Sequence, residues 1–113
     1  MKDKIYVVVR RDLPFGPQIV QSGHVIKELC QARSDPDFID TENLIALHAR
    51  DEAHLHEIHE RLIAEPGVLV KAFREPDYGN ALTAVAAWRG GRVLSSLPCA
   101  RLAPHNMVEV DAA

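Results

Sequence analysis

Aromatic side chains are scarce in this chain of 113 residues: Phe, Trp and Tyr together make up 5% of it. A core must therefore be assembled mainly from Val, Ile, Leu and Ala. Cysteine is scarcer still. The only two, Cys30 and Cys99, lie far apart, which excludes the dense disulfide framework of a small secreted domain. Two reduced, buried thiols are expected instead. Long apolar runs are missing as well. The run in "MKDKIYVVVRRD" is too short for a signal peptide or a membrane span, and nothing later is longer. A soluble cytoplasmic protein with no membrane partner is the expectation. A basic excess is also lacking, since the formal charge is −3. That argues against tight non-specific binding to nucleic acid, which needs a broad cationic footprint, but leaves room for a local basic patch begun by Arg10 and Arg11 and extended by Lys71 and Arg74. No G-x-S-x-G, Walker or Cys-His zinc pattern occurs.

What the chain does have is enough apolar residues, 47%, for one compact domain over residues 1–113. Lys4 to Arg10 reads as a strand. Its run "IYVVV" does not alternate with polar residues, as in strands buried on both faces, so helices are expected on both sides of a sheet. Pro17 to Ala32 reads as a helix, with Ile19, Gly23, Ile26 and Cys30 on its buried face and Gly23 allowing close approach to the sheet. Arg33 to Asn43 reads as a polar loop. Leu44 to Ala49 reads as a second strand. Asp51 caps a second helix whose stripe is Leu55, Ile58 and Leu62. Val68 to Phe73 and Ala81 to Trp88 give two more strands, followed by a short helical and extended tail, loosely held from about Ala103.

The order β-α-β-α-β-β predicts a three-layer α/β/α fold with a four-stranded mixed sheet. The first three strands are expected to run parallel, because helices join them. The last is expected antiparallel, because its connection holds no helix.

In such sheets ligands gather beyond the carboxyl ends of the strands. "RRDLPFG" leaves the first strand there and "REPDYGN" leaves the third, so Arg10, Arg11, Asp12, Arg74, Glu75 and Asp77 should meet, unless the aspartates only make turn hydrogen bonds. His24 lies two turns into the first helix, off its apolar stripe, and is either an ordinary, partly exposed helix residue, or a general base or a ligand for phosphate or ribose. His54, His56 and His59 are spaced two, three and five apart rather than four, which reads as a solvated helix face and not as a zinc site.

Three pieces in order carry a resemblance. They are the strand and turn "VVVRRDLPFG", the "Q-x-x-H" of Gln21 to His24, and "FREPDYGNALTAVAA" from Phe73. Together they resemble the type 2 peptidyl-tRNA hydrolase family, in particular its short bacterial branch, over roughly Lys4 to Leu102. The resemblance implies hydrolysis of the ester that joins a peptide to the 3′ ribose of tRNA, in translation, by attack of water without metal, cofactor or covalent nucleophile, and by a homodimer. It implies His24, Asp77 and Thr83 as catalytic residues, and Arg10, Arg11, Asp12, Gln21, Arg74 and Asn80 as the substrate-binding set. Where the family carries a lysine just before the Q-x-x-H segment, this chain has Pro17 and Gln18, and its D-x-G loop is shorter. That departure and the acidic charge motivate a second expectation, a non-catalytic module binding a nucleotide or a protein on the same fold, and a third, a chiefly structural subunit.

Overall fold

The computed structural model describes residues 4–33, 36–39 and 43–98. The expectations for Cys99 and for the tail from about Ala103 fall outside the described residues. The elements are β1 (Lys4–Arg10), α1 (Phe15–Ala32), a short α2 (Pro36–Ile39), β2 (Asn43–Ala49), α3 (Glu52–Ala64), β3 (Leu69–Glu75), a 3₁₀ turn (Pro76–Tyr78), β4 (Ala81–Trp88) and a short α4 (Gly91–Leu94). The strands form one sheet in the order β2-β1-β4-β3. β1 and β2 pair parallel, while β4 runs antiparallel to both β1 and β3. The last strand thus inserts between the first and the third.

Two separate apolar clusters make the three layers. On one face Val25 and Leu29 of α1 pack with Val7, Val9, Ala84, Ala86 and Trp88. On the other, Leu55, Ile58 and Leu62 of α3 pack with Val8, Leu47, Val85 and Ala87. Alternate residues of β1 thus serve opposite faces, as its unbroken apolar run requires. Asp51 caps α3 by accepting a hydrogen bond from the His54 N–H at 2.9 Å. At Gly90 an added Cβ would sit 2.7 Å from Leu62 Cδ2, so Leu62 would have to shift to admit it. Trp88 is fully buried. Phe38 meets its ring edge-on at 5.5 Å, and the guanidinium groups of Arg33 and Arg89 lie 4.4 and 4.0 Å from its centroid.

Several sequence expectations need correction. α1 begins at Phe15, not Pro17, with its first internal bond from Gln18 N–H to Pro14 C=O at 3.0 Å. Pro17 still lies in the first turn, where its missing N–H is no loss. The buried stripe of α1 is Gln18, Gln21, Val25 and Leu29. Ile19 and Val20 are about half exposed, Cys30 is exposed, and only Ile26 of the expected stripe packs partly against the cluster. Two glutamines that face inward rotate the whole stripe by about one position. Gly23 is exposed, and a Cβ there would meet nothing within 4 Å, so it serves no close approach. The polar stretch after Arg33 contains α2, which carries the buried Phe38.

Leu62 is fully buried between α3 and the sheet. Leu62→Ala should cost about 2–5 kcal/mol, read from the urea unfolding midpoint, because the site cannot collapse fully around the lost volume.

Candidate functional site

The carboxyl end of β1 and the start of β4 meet at one edge of the sheet, and a bulge decides what is presented there. Phe73 pairs with Ala84, but the next residue, Arg74, pairs with Leu82. Thr83 is therefore the extra residue on β4. Simple alternation would aim it at the α3 layer with Val85 and Ala87. The bulge turns it toward α1 instead, and turns Leu82 into the α3 cluster.

The distorted backbone is stapled by charge. Leu82 N–H donates to Glu52 Oε2 at 2.8 Å, and Leu82 C=O accepts from Arg10 Nη1 at 3.2 Å. Arg10 also grips Asp12 with two bonds of 2.9 Å. The hydrogen bond from Arg10 holds the Asp12 carboxyl below the usual carboxylate range, and Asp12 in turn raises Arg10. Beside this staple lies a groove of about 430 Å³, lined by Arg10, Leu13, Pro14, Glu52, Tyr78 and Ala81.

Behind the groove, α1 reaches the sheet through its two inward glutamines. Gln21 is 2% exposed. Its Nε2 donates to Glu75 Oε1 at 2.8 Å, and its Oε1 accepts the Thr83 hydroxyl at 2.7 Å. Phe73 C=O lies farther from that hydroxyl, at 3.3 Å. Gln18 donates to Leu13 C=O at 2.8 Å, which fixes its amide so that Oε1 faces His48 Nε2 at the same distance. His48 must then donate from Nε2. Burial, and after it the charge of Arg11, push the pKa of His48 below its ordinary value.

Among the expected catalytic residues, Thr83 is fully buried and spends its proton on Gln21. His24 is exposed, with its ring stacked on Phe73 at 4.6 Å and 11°. Asp77 is exposed in the 3₁₀ turn, and its N–H donates to Glu75 Oε2 at 3.4 Å. Among the described residues its side chain bonds neither His24 nor Thr83. The three are linked only indirectly, through Phe73, Gln21 and Glu75. Within the expected binding set, Arg10 pairs with Asp12 and Gln21 joins the Thr83 network. Arg74 Nη1 donates to Asn80 C=O at 3.3 Å, and Asn80 takes φ 62° beside Gly79 at 64° to close the turn. Arg11 stands apart, in a different hollow.

No protein-family model and no curated protein matches this chain.

Gln18, His48 and Glu52 were not singled out by sequence as site residues. Glu52 reads as a charge favouring a helix start, and nothing in the sequence tells that its carboxylate caps a strand bulge 30 residues away. The histidines of α3 take separate tasks. His54 Nδ1 accepts the Arg50 N–H at 3.0 Å, His56 lies 3.6 Å from Glu52, and burial and then His56 lower the pKa of His59.

Thr83→Val should cost about 1–3 kcal/mol, because it strands the Gln21 oxygen in a dry site. In a double-mutant cycle by urea unfolding, Gln21→Met should recover part of that cost. For His48 the folded pKa lies below the unfolded 6.5, so the unfolded chain binds the extra proton between the two values. Stability should fall as pH drops from 6.5 toward the folded value. Ring-proton NMR should place the His48 midpoint below 6.5, and His48→Gln should flatten the pH slope of urea-derived stability, leaving the part due to His59.

Proposed function

We propose that the protein hydrolyses the ester of peptidyl-tRNA, or of aminoacyl-tRNA, at the sheet edge where β1, α1 and β4 meet. One observation carries this reading. The two segments near the start of α1 that bear the resemblance are tied to the third, distant in sequence, through single hydrogen bonds and one ring stack: Arg10 to Leu82, Gln21 to both Glu75 and Thr83, and His24 to Phe73. A helix that served only to cover the sheet would not need one buried amide, that of Gln21, bonded to side chains 54 and 62 residues away.

In this reading the groove beside Tyr78 receives the ester. Asp77, or else His24, orients a water and takes its proton as the water oxygen bonds to the ester carbonyl carbon. The carbonyl electron pair moves to oxygen, where N–H groups in the open first turn of α1 stabilise the charge. The carbon–oxygen bond to the ribose then breaks, and the 3′ oxygen leaves with the proton held by the base. Thr83 acts as a positioning residue by fixing the Gln21 amide. Arg74 and Arg11 contact phosphates of the tRNA. A homodimer and a cytoplasmic location belong to the same reading, and among the described residues no helix is long and apolar enough to cross a membrane.

The alternative, a binding module without turnover, is favoured by one specific feature: the Thr83 hydroxyl is sealed from solvent. Purified protein incubated with peptidyl-tRNA separates the two. Turnover that drops by about 10²–10⁴-fold in Asp77→Ala or in His24→Ala supports the hydrolase. An ester left intact where a control hydrolase cleaves it overturns the hydrolase. Saturable NMR shifts between Arg10 and His24 on adding tRNA, without turnover, then favour the module.

A further inference from the structure

Next to the groove, over the ends of β1 and β2, lies a second hollow of about 290 Å³. Arg11, His48, Arg50 and His54 form its polar wall and the segment 96–98 closes it. It shares no lining residue with the groove.

Strand register explains why two arginines meet here. Arg10 pairs with Ala49 across parallel strands, and Arg11 N–H donates to Ala49 C=O at 2.8 Å. Arg11 and Arg50 therefore leave the sheet as neighbours. Like charges side by side on paired strands repel, and nearby carboxylates could have relieved them. The described carboxylates beside them in sequence are engaged elsewhere. Asp12 takes both bonds from Arg10, Asp51 caps α3, and Glu52 holds Leu82 N–H. Among the described residues no carboxylate pairs with Arg11 or Arg50. The hollow thus concentrates two permanent cations in a chain whose net charge is −3.

Its histidines add direction. His54 Nδ1 accepts the Arg50 N–H, so the neutral ring carries its proton on Nε2. His48 is locked by Gln18. Arginine forks match the geometry of phosphoryl oxygens, and a phosphate monoester carries close to two negative charges at neutral pH. The volume sits near the small end of the usual range for ligand pockets, roughly 300–1,000 Å³, enough for a phosphoryl group and part of its ester.

We infer that this hollow binds a phosphate monoester dianion, gripped by Arg11 and Arg50, with His54 Nε2–H as a further donor. The site shares Arg11 with the proposed tRNA contact, but phosphate binding here does not require ester hydrolysis in the neighbouring groove, so either can fail alone. The same group could reach it as a small free ester or as the 5′ end of a nucleic-acid strand.

Histidine-ring NMR tests this directly, with inorganic phosphate, AMP, adenosine, and a dinucleotide with and without a 5′ phosphate as probes. The His54 and His48 signals should shift saturably with phosphate and AMP, and not with adenosine, while His56 and His59 stay in place. Arg11→Gln and Arg50→Gln, both at exposed positions, should each weaken AMP binding by about tenfold or more, equivalent to about 1.4 kcal/mol or more. A 5′-phosphorylated dinucleotide that binds more tightly than AMP assigns the site to strand ends, and equal binding assigns it to small esters. No saturable shift with phosphate or AMP, equal response to adenosine, or unchanged binding in the Arg11→Gln, Arg50→Gln double variant would overturn the site. Should that variant lose its fold, the contrast between AMP and adenosine at His54 of the wild type decides.

Discussion

Everything in this protein is arranged around β4. Among the described strands it alone is paired on both edges by antiparallel ladders, and from Leu82 to Trp88 every residue is buried. A strand so placed has no face to give to solvent and must be apolar throughout. It must also be thin, because α1 and α3 both press on it. Four of its eight residues are alanine, and Gly90 just beyond lets Leu62 come closer than a Cβ would allow. The shortage of aromatic residues fits this geometry: small side chains let two long helices approach one strand from opposite sides.

The same constraint makes the bulge at Thr83 consequential. A polar side chain in the middle of a fully buried strand needs a partner, and an interruption of the ladder leaves backbone groups that also need partners. α1 supplies the first through Gln21. The other two come from Glu52 and Arg10, which take the two backbone groups of Leu82. Residues that look like surface charges and a helix glutamine thereby become part of the sheet edge. The walls of the groove and the supports of the bulge are partly the same side chains, Arg10 and Glu52, so a change in one bears on the other.

The strands, the α3 stripe and the antiparallel last strand were legible from local pattern, because each depends on residues close in sequence. "IYVVV" and "ALTAVAAW" lack alternation for the physical reason that both strands are covered on both faces. The α1 stripe is not legible in the sequence because glutamine is polar, yet Gln18 and Gln21 are buried through bonds to His48, Glu75 and Thr83. A partner 30 or more residues away leaves no periodic trace. The bulge was hidden for a similar reason: it is a mismatch between β3 and β4, and neither strand shows it alone. Arg10 and Arg11 looked like one patch, but successive residues leaving a strand point apart, and they end in separate hollows.

The strand order also bears on how the chain comes together during synthesis. β1 is made well before β4, the last strand of the sheet, yet they are direct neighbours, with Val8 opposite Val85. Until residues near 88 have emerged, β1 and β2 can zip together on their own, but β3 has no strand beside it and α3 covers only part of a sheet. The closing event joins sequence positions about 80 apart, a long loop whose entropy must be lost before its contacts form. A nascent chain paused before β4 would therefore show its apolar strand edges to the surroundings, and the interval before β4 arrives is when this protein most needs shielding from its neighbours.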